Sequence, residues 1–588
     1  MDSDAKKLGK LKMLKLPHGL MVENVNELPN LHGPVLYCDL ETTSFDAKTH
    51  ALDPWKGHRI AGIAIGEEDG PVWYVPIRHH HSNNVDGALN WFRGALKACK
   101  LWVNHNVKFD AHFAAADGAE YGGELRCTMT GAKLLDSGRK SYALDSIAEA
   151  WLNKRKNQEP WDWLNRAKSK DFGDVPADMA ANYACYDVIV TRELDAYIRK
   201  MMPEQCKDVW ETEQKLTSVL FDTERLGLRV DVLEIKKLES VTRAQMLQLD
   251  EELSSLLRFD GFNPSSNDDC FAALCSLNGL PVLGRTDEGN PSFDADTLMQ
   301  YLEHPVVIED ARLKRAVTNI LKYRKLSTLL SLFLVPYQQL EINGRIYPTY
   351  NQCVQTGRMS CSKPNAQQMD EVAKSLILPE EAFLSYDYSQ IEFRLIAHYA
   401  REPEIISAYA KDPDVDFHQW VAELCGIPRG PAKSVNFAIA FGGGKKRVVE
   451  MLSSNMSLME GLDEQLDALI SAGKLDANDR STVFRNLCKQ RGESVYAEYH
   501  ARLPGIRRVT ASAAHNLEKR GYVFNLFGRR RHLPSRLSYR AFNSVVQSSA
   551  ADIMKQRAVA TSPRYNSRIR ALGLTQRAFV HDEILFHG

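Results

Sequence analysis

Two acids separated by one residue, Asp39 and Glu41, follow the apolar run Val35–Cys38. The run reads as a strand, and side chains two apart on a strand share a face, so the carboxylates converge. Carboxylates held together repel one another unless a cation sits between them, and an oxygen-rich pair suits Mg2+ or Mn2+. An Asp-x-Glu pair alone is more often two solvated acids at a strand end. Two further segments shift the balance. Asn104-His105-Asn106-Val107-Lys108-Phe109-Asp110 brings another acid just after an apolar-rich stretch. Tyr183 and Asp187 stand four apart in the helical pattern Tyr183–Leu194, which puts phenol and carboxylate on one helix face.

A second constellation lies far downstream. Phe383-Leu384-Ser385-Tyr386-Asp387 reads as a strand ending in an acid, and Tyr388-Ser389-Gln390-Ile391-Glu392-Phe393-Arg394 continues into a helix. Phe579-Val580-His581-Asp582-Glu583-Ile584-Leu585-Phe586 sets His-Asp-Glu between apolar residues, as at a hairpin tip. Between them, Arg429, Lys433, Phe437 and Phe441 recur every four residues and share one helix face. A helix facing a core does not lead its buried stripe with Arg and Lys. Cations of this kind can neutralise a triphosphate, and aromatic faces can stack on a base.

The elements that must position these groups follow from the patterning. Val35–Cys38, Ile60–Ile65 and Val72–Ile77 are strand candidates, and helical patterns dominate to about Lys200, so the first part reads as an α/β domain. From Pro203 to Leu340 the chain is mostly helical, interrupted by a turn-rich stretch from Phe262 to Asp294. Asn343-Gly344 reads as a hairpin turn joining two short strands. Strand patterns at Phe383–Asp387 and Ala578–Phe586 bracket a long helical insertion.

Order, spacing and flanking residues of the first set resemble the exonuclease motifs of a proofreading domain, in the tyrosine-containing subclass. The second set resembles motifs A, B and C of the family A DNA polymerases of bacteria and their phages. The likeness extends to Thr356-Gly357-Arg358, Pro364-Asn365, Gly521-Tyr522-Val523, Gly528-Arg529-Arg530-Arg531 and Asn543-x-x-x-Gln547, and covers most of the chain from Val35 onward. It implies a multidomain α/β fold: a ribonuclease H-like exonuclease domain at 1–202 (core about 33–200), then a right-hand polymerase with thumb 203–345, palm 346–400, fingers 401–520 and second palm part 521–588.

By motif, the resemblance gives Asp39, Glu41, Asp110 and Asp187 two metals to hold, and Tyr183 the attacking water to orient. Asp387 and Asp582 would bind the two metals of synthesis, with Mg2+ expected in both sites and Mn2+ an alternative. Arg429 and Lys433 would grip the incoming deoxynucleoside triphosphate, with His581 and Gln390 nearby. Phe437 implies discrimination against dideoxynucleotides, Phe441 would sit at the templating base, and Glu392 would be the gate that excludes a ribose 2′-OH. Arg358, Asn543 and Gln547 would read the minor-groove edge of primer-template DNA, where acceptors are common to all base pairs. Arg529, Arg530 and Arg531 would bind DNA as part of a basic block, Arg502–Arg540, in which ten Lys or Arg face the single acid Glu518. The chain departs from the pattern at Phe441 (usually Tyr), Tyr539 (usually Arg), Ser548 (usually Gly), Met359 and Cys361.

Bulk composition sets broad limits. With 588 residues, 44% hydrophobic and 25% charged, the chain has room for three or four domains, and its formal net charge of −1 gives no global nucleic-acid signal. Eleven scattered cysteines with no Cys-x-x-Cys pair argue against a disulfide framework or structural zinc and for a reducing compartment. No apolar run approaches the roughly 20 residues of a membrane span. The lysines Lys6, Lys7, Lys10, Lys12 and Lys15 lack a following apolar segment, so no secretion is expected. A monomer in the cytoplasm of a bacterial host is the expectation. The chain ends six residues after Asp582, where the family continues with further palm elements, so an exonuclease with an impaired polymerase half is the alternative. A single-subunit RNA polymerase is disfavoured by Glu392 and the proofreading motifs.

Overall fold

The computed structural model describes residues 14–43, 54–155, 157–286, 288–453, 465–472, 474, 476 and 480–588; Lys6, Lys7, Lys10 and Lys12 lie outside them. The N-terminal module is organised by β1 (Leu14–Lys15), β2 (Leu20–Met21), β3 (Val35–Thr42), β4 (Ile60–Glu67), β5 (Val72–Pro76), β6 (Leu101–Asn104) and β7 (Glu124–Cys127). They form one sheet in the order β1-β2-β5-β4-β3-β6-β7. All three expected strands are present. β3 runs on through both acids because antiparallel β4 pairs with it as far as Thr42, opposite Ile60.

The two faces of β4 differ in size, and that difference decides what covers them. Gly62, Ala64 and Gly66 alternate with Ile63 and Ile65. The large face meets α1 (Ala88–Ala98) and α2 (Val107–Ala116), where Phe92, Leu96, Val107 and Phe113 join Leu36, Cys38, Leu40, Ile63, Ile65 and Val75 in one core. The small face admits the long α3 (Ala177–Met201), whose Ala180, Ala181, Tyr183, Ala184 and Val188 pack on Tyr37, Ala64 and Tyr74. The fit is close: a Cβ at Gly66 would lie 2.6 Å from Arg192 Nη2 on α3.

The rest of the chain begins with α4 (Lys207–Leu226), α5 (Val232–Leu257) and α6 (Ala311–Leu329). Within the turn-rich stretch, Gly284–Arg285 and Pro291–Ser292 pair as a short ribbon. Asn343 and Gly344 do form a tight turn, both at positive φ (52° and 77°). It does not join two strands of one hairpin, however. Beyond an Ile342–Arg345 bridge, Arg345–Ile346 pairs with Leu228–Arg229, more than a hundred residues earlier. Local turn chemistry fixed the reversal, and tertiary contact chose the partner.

Next come β8 (Phe383–Asp387), α7 (Ile391–Ala400), α8 (Arg429–Ala440), α9 (Pro504–Arg520), β9 (Tyr522–Phe524), β10 (Arg530–His532), α10 (Ala541–Ala560), β11 (Thr575–Val580) and β12 (Glu583–His587). A three-stranded sheet with the order β8-β12-β11 brings the two distant strand patterns together, with Asp387 opposite Glu583. Val580 faces Glu583, so His581 and Asp582 form the tip of the β11–β12 hairpin.

The β9–β10 hairpin ties the two halves together. His532 N–H donates to Ser137 Oγ at 2.9 Å, and Cys206 Sγ–H donates to the Gly528 carbonyl at 2.9 Å. Gly528 has φ 86°, and a Cβ there would lie 1.9 Å from the Gln205 carbonyl oxygen. Gly528→Ala therefore meets both backbone strain and a backbone clash. It is expected to destabilise the protein by about 2 kcal/mol, read as a lower denaturation midpoint than wild type.

Candidate functional site

In the N-terminal module the acids stand where a strand outruns its neighbour. β3 pairs with parallel β6 only over Val35–Tyr37, so farther along β3 its backbone on that side needs another partner. Leu40 N–H finds it in Asp110 Oδ1 at 3.2 Å. Asn104, the last residue of β6, donates through Nδ2 to Asp39 Oδ1 at 3.0 Å and to Asp110 Oδ2 at 2.8 Å. A single amide thus clamps two carboxylates. Asn104 carries no assigned role in the motif reading; its only signal is a polar residue closing the apolar run Leu101-Trp102-Val103.

Glu41, Asp110, Asp187 and Tyr183 are all buried. Burial pushes the Asp110 carboxyl well above the usual range, and the Asp39 charge adds to it against the Asn104 and Leu40 hydrogen bonds. Buried carboxylates that raise one another in this way fit a divalent cation. Among the described residues no three His, Cys, Asp or Glu side chains close into a cage; the Asn104 amide bridges Asp39 and Asp110. Tyr183 OH accepts from Trp161 Nε1 at 3.1 Å, and Asp187 follows one turn later on α3.

At the C-terminal sheet, Tyr388 N–H donates to the Asp582 carbonyl at 3.3 Å, which brings the end of β8 to the hairpin tip. Burial raises the Asp582 carboxyl; Arg358 opposes that shift, and the Asp387 charge adds to it. Burial also raises Glu392, with Arg358 lowering and Asp582 raising it. Arg358 donates to Glu392 directly. Glu583 turns elsewhere: Lys374 Nζ lies 2.5 Å and Ser385 Oγ 2.7 Å from its carboxylate. Two residues beside these acids hold left-handed backbone without being glycine, Gln390 (φ 52°) and His581 (φ 53°). Such strain persists where the surroundings over-determine it.

The expected stripe on α8 runs from solvent towards the interior. Arg429 and Lys433 are exposed, and Phe437 and Phe441 half-buried. Arg429 Nε donates to Asp416 Oδ2 at 2.6 Å. Phe437 packs between Phe393 and Phe441, with ring centroids 4.9 and 5.7 Å away. Gln390 donates to the Val415 carbonyl at 3.1 Å and accepts from Tyr409 OH at 3.0 Å. On α10, Asn543 and Gln547 are half-buried, and Asn543 Oδ1 has no hydrogen-bond partner among the described residues.

The arginine triplet requires a correction. Arg529 and Arg531 do not face the solvent as a phosphate-binding run would: both are buried. Arg529 Nε lies 3.0 Å from both Asp552 oxygens, and its Nη2 bonds Glu213. Lys555 Nζ donates to the same Glu213 oxygen at 2.6 Å. Arg531 Nε donates to Ser544 Oγ at 3.0 Å. Arg530 is half-buried over the Tyr522 ring, at 5.0 Å from its centroid. A run of cations in sequence does not reveal whether acids from distant helices enclose it.

Several comparisons bear on this arrangement. The sequence model of DNA polymerase family A matches residues 233–462 and 481–587, and a 3′–5′ exonuclease model matches residues 21–203. The chain is 29% identical over 576 residues to the "DNA polymerase DpoZ" of Salmonella phage PMBT28, covering 87% of this chain and 85% of that one. It is 27% identical over 589 residues to DNA polymerase I of Pseudomonas aeruginosa, covering 93% of this chain and 59% of the relative. Among solved structures, the POL domain of Pol1 from M. smegmatis, in complex with DNA primer-template and dNTP, matches with a TM-score of 0.70 at 20% identity. That match covers 94% of this chain and 89% of the other, and it carries the fold.

Breaking a buried ion pair from one side leaves an uncompensated charge, so Arg529→Ala is expected to cost about 3–5 kcal/mol of stability, measured by thermal unfolding. Burial raises Glu213, but Lys555 and Arg529 outweigh it and hold its carboxyl down at about 2, against 4.5 ordinarily. The unfolded chain therefore binds more protons than the folded one between these values, and stability falls as pH drops through that window. Denaturation midpoints at pH 5 and pH 3 are expected to differ more for wild type than for Glu213→Gln.

Proposed function

Because this chain belongs to DNA polymerase family A and carries a 3′–5′ exonuclease domain ahead of its polymerase domain, we propose that Asp387 and Asp582 are the metal-holding acids of its DNA synthesis. The contact between Tyr388 N–H and the Asp582 carbonyl is the observation that carries this reading, since it sets a motif acid from each end of the polymerase domain at one sheet edge. Family members of both kinds work with divalent metals, and Mg2+, two ions per site, is the proposed ion. Bound there, it would supply charge stabilisation for the attacking 3′-OH and the departing pyrophosphate.

The chain's own residues do the rest. Exposed Lys433 and Arg429 lie on the α8 face that would meet a triphosphate, so Arg429 would exchange its Asp416 partner for phosphate oxygens. Phe437 and Phe441 continue that face towards the nascent pair. Glu392, held by Arg358, is a rigid wall suited to excluding a 2′-OH. Asn543 and Gln547 would read the minor-groove edge, and the unpartnered Asn543 Oδ1 is consistent with a contact completed by DNA. In the exonuclease domain, Asp39, Glu41, Asp110 and Asp187 would hold the ions and Tyr183 would orient water. The thumb, palm and fingers limits given above are proposed on the same basis, as are primer-template DNA and deoxynucleoside triphosphates as ligands, a monomeric state and a bacterial cytoplasm. The described residues contain no helix long and apolar enough to cross a membrane.

The reading of an impaired polymerase half is not favoured, since the polymerase family match includes both motif acids. The two activities are separable by mutation. Asp387→Ala or Asp582→Ala is expected to lower primer extension by about a thousandfold or more while leaving 3′–5′ degradation of single strands intact. Asp39→Ala or Asp187→Ala is expected to do the reverse. Extension that survives Asp387→Ala would overturn the assignment.

A further inference from the structure

Tyr74 and His79 are fully or nearly fully buried polar residues in the exonuclease domain, and none of the roles above uses them. Tyr74 sits on β5 opposite Ala64, which in turn sits opposite Asp39. By strand alternation Asp39, Glu41, Gly62, Ala64 and Tyr74 all share the face that α3 covers. The phenol leans along the sheet over Gly62: a Cβ at Gly62 would lie 1.9 Å from the Tyr74 oxygen. Gly62 is the residue paired with Glu41. The hydroxyl therefore lies next to the strand position of Glu41, and Glu41 is the strongest charge acting on it.

The other side of that hydroxyl is anchored. Tyr74 OH is 2.7 Å from His79 Nε2, and His79 Nδ1 is 2.8 Å from the Val175 carbonyl oxygen. A carbonyl can only accept, so Nδ1 carries the proton. Burial holds His79 below its ordinary value of 6.5, so Nε2 is unprotonated at neutral pH and Tyr74 donates to it. His79 is itself pinned: its N–H donates to Asn84 Oδ1 at 2.8 Å, and Asn84 Nδ2 returns a bond to its carbonyl at 2.9 Å. Val175 lies two residues before α3, the helix carrying Tyr183 and Asp187. Tyr74 and Tyr183 also belong to one packed cluster.

We propose that Tyr74 and His79 are positioning residues of the exonuclease site, a hydrogen-bonded brace that fixes the sheet acids Asp39 and Glu41 relative to Tyr183 and Asp187 on α3. The inference rests on the assignment of those four residues as that site. The brace crosses from the middle of the sheet to the root of the helix, while Tyr37 OH donates to Asp195 Oδ2 at 2.9 Å farther along the same helix. Residues behind a ligand set govern its geometry, and their loss lowers affinity or turnover about 10–100-fold.

The test uses the full chain with Tyr74→Phe, His79→Leu and His79→Gln, the last keeping an acceptor for the phenol. Tyr74→Phe and His79→Leu are expected to lower exonuclease kcat at least tenfold on a single-stranded oligonucleotide, with KM and primer extension within twofold of wild type. His79→Gln is expected to recover most of the loss. Mn2+ titration followed by electron paramagnetic resonance, in a chain also carrying Asp387→Ala and Asp582→Ala, is expected to show about tenfold weaker binding in Tyr74→Phe. An exonuclease kcat within twofold of wild type in Tyr74→Phe overturns the brace. A matching loss of extension also overturns it, since that marks general misfolding. Asp39→Ala serves as the reference: if it leaves degradation intact, the site assignment fails; if it abolishes degradation while Tyr74→Phe does not, only the brace fails.

Discussion

Four acidic and basic side chains shut away from water, Glu213, Arg529, Asp552 and Lys555, form one hydrogen-bonded network. Charges tolerate that environment only when paired and hydrogen-bonded, and each of these has a partner on another element. Glu213 belongs to α4, Arg529 to the tight turn before β10, and Asp552 and Lys555 to α10. The network therefore dictates where α10 lies, and with it Asn543 and Gln547. The same hairpin reaches Ser137 and Gln205 in and just after the N-terminal module. The hairpin that touches the degrading half is thus held within the synthesising half by ion pairs that cannot relax into solvent.

The two proposed sites, unrelated in sequence, are built by one device. Each has an acid-bearing strand and a helix that begins from a non-glycine residue in left-handed backbone. Asn106 (φ 64°) precedes α2 with Asp110, and Gln390 (φ 52°) precedes α7 with Glu392. A left-handed cap turns the chain sharply, so a helical acid comes to stand beside the strand acid. Like charges at short range, partly desolvated, raise one another's pKa. The shifts of Asp110 and Asp582 both include this effect. In both places the fold keeps like charges close, the arrangement that the proposed cations would neutralise.

Small residues have a matching role. Gly62, Ala64 and Gly66 let α3 approach the sheet, and Gly62 also leaves room for the Tyr74 hydroxyl. Larger side chains there would lift α3, and Tyr183 and Asp187 would move with it. The chemistry is carried by acids, but its geometry depends on what the neighbouring strand lacks.

Much of this was legible in the residues. Short apolar runs gave the three central strands, four-residue spacing gave the α8 stripe and the Tyr183–Asp187 pair, and apolar flanks gave the hairpin tip at Asp582. These are local properties, fixed by backbone periodicity and by which side chains avoid water. The sequence also showed the family, because motif acids keep their order however far apart the chain sets them. It could not show pairings between distant segments. Asn343-Gly344 turns as its residue types require, yet the strand it feeds pairs with Leu228–Arg229. Arg529-Arg530-Arg531 looks like a phosphate-binding run, yet two of the three are buried, and Arg529 is paired with acids from distant helices. Tyr74 and His79 have no motif to announce them, and Asn104 stands in one without an assigned role. Whether a charge faces water or an opposite charge, and which hydroxyl lies next to which carboxylate, depends on packing between elements, and only the tertiary structure decides that.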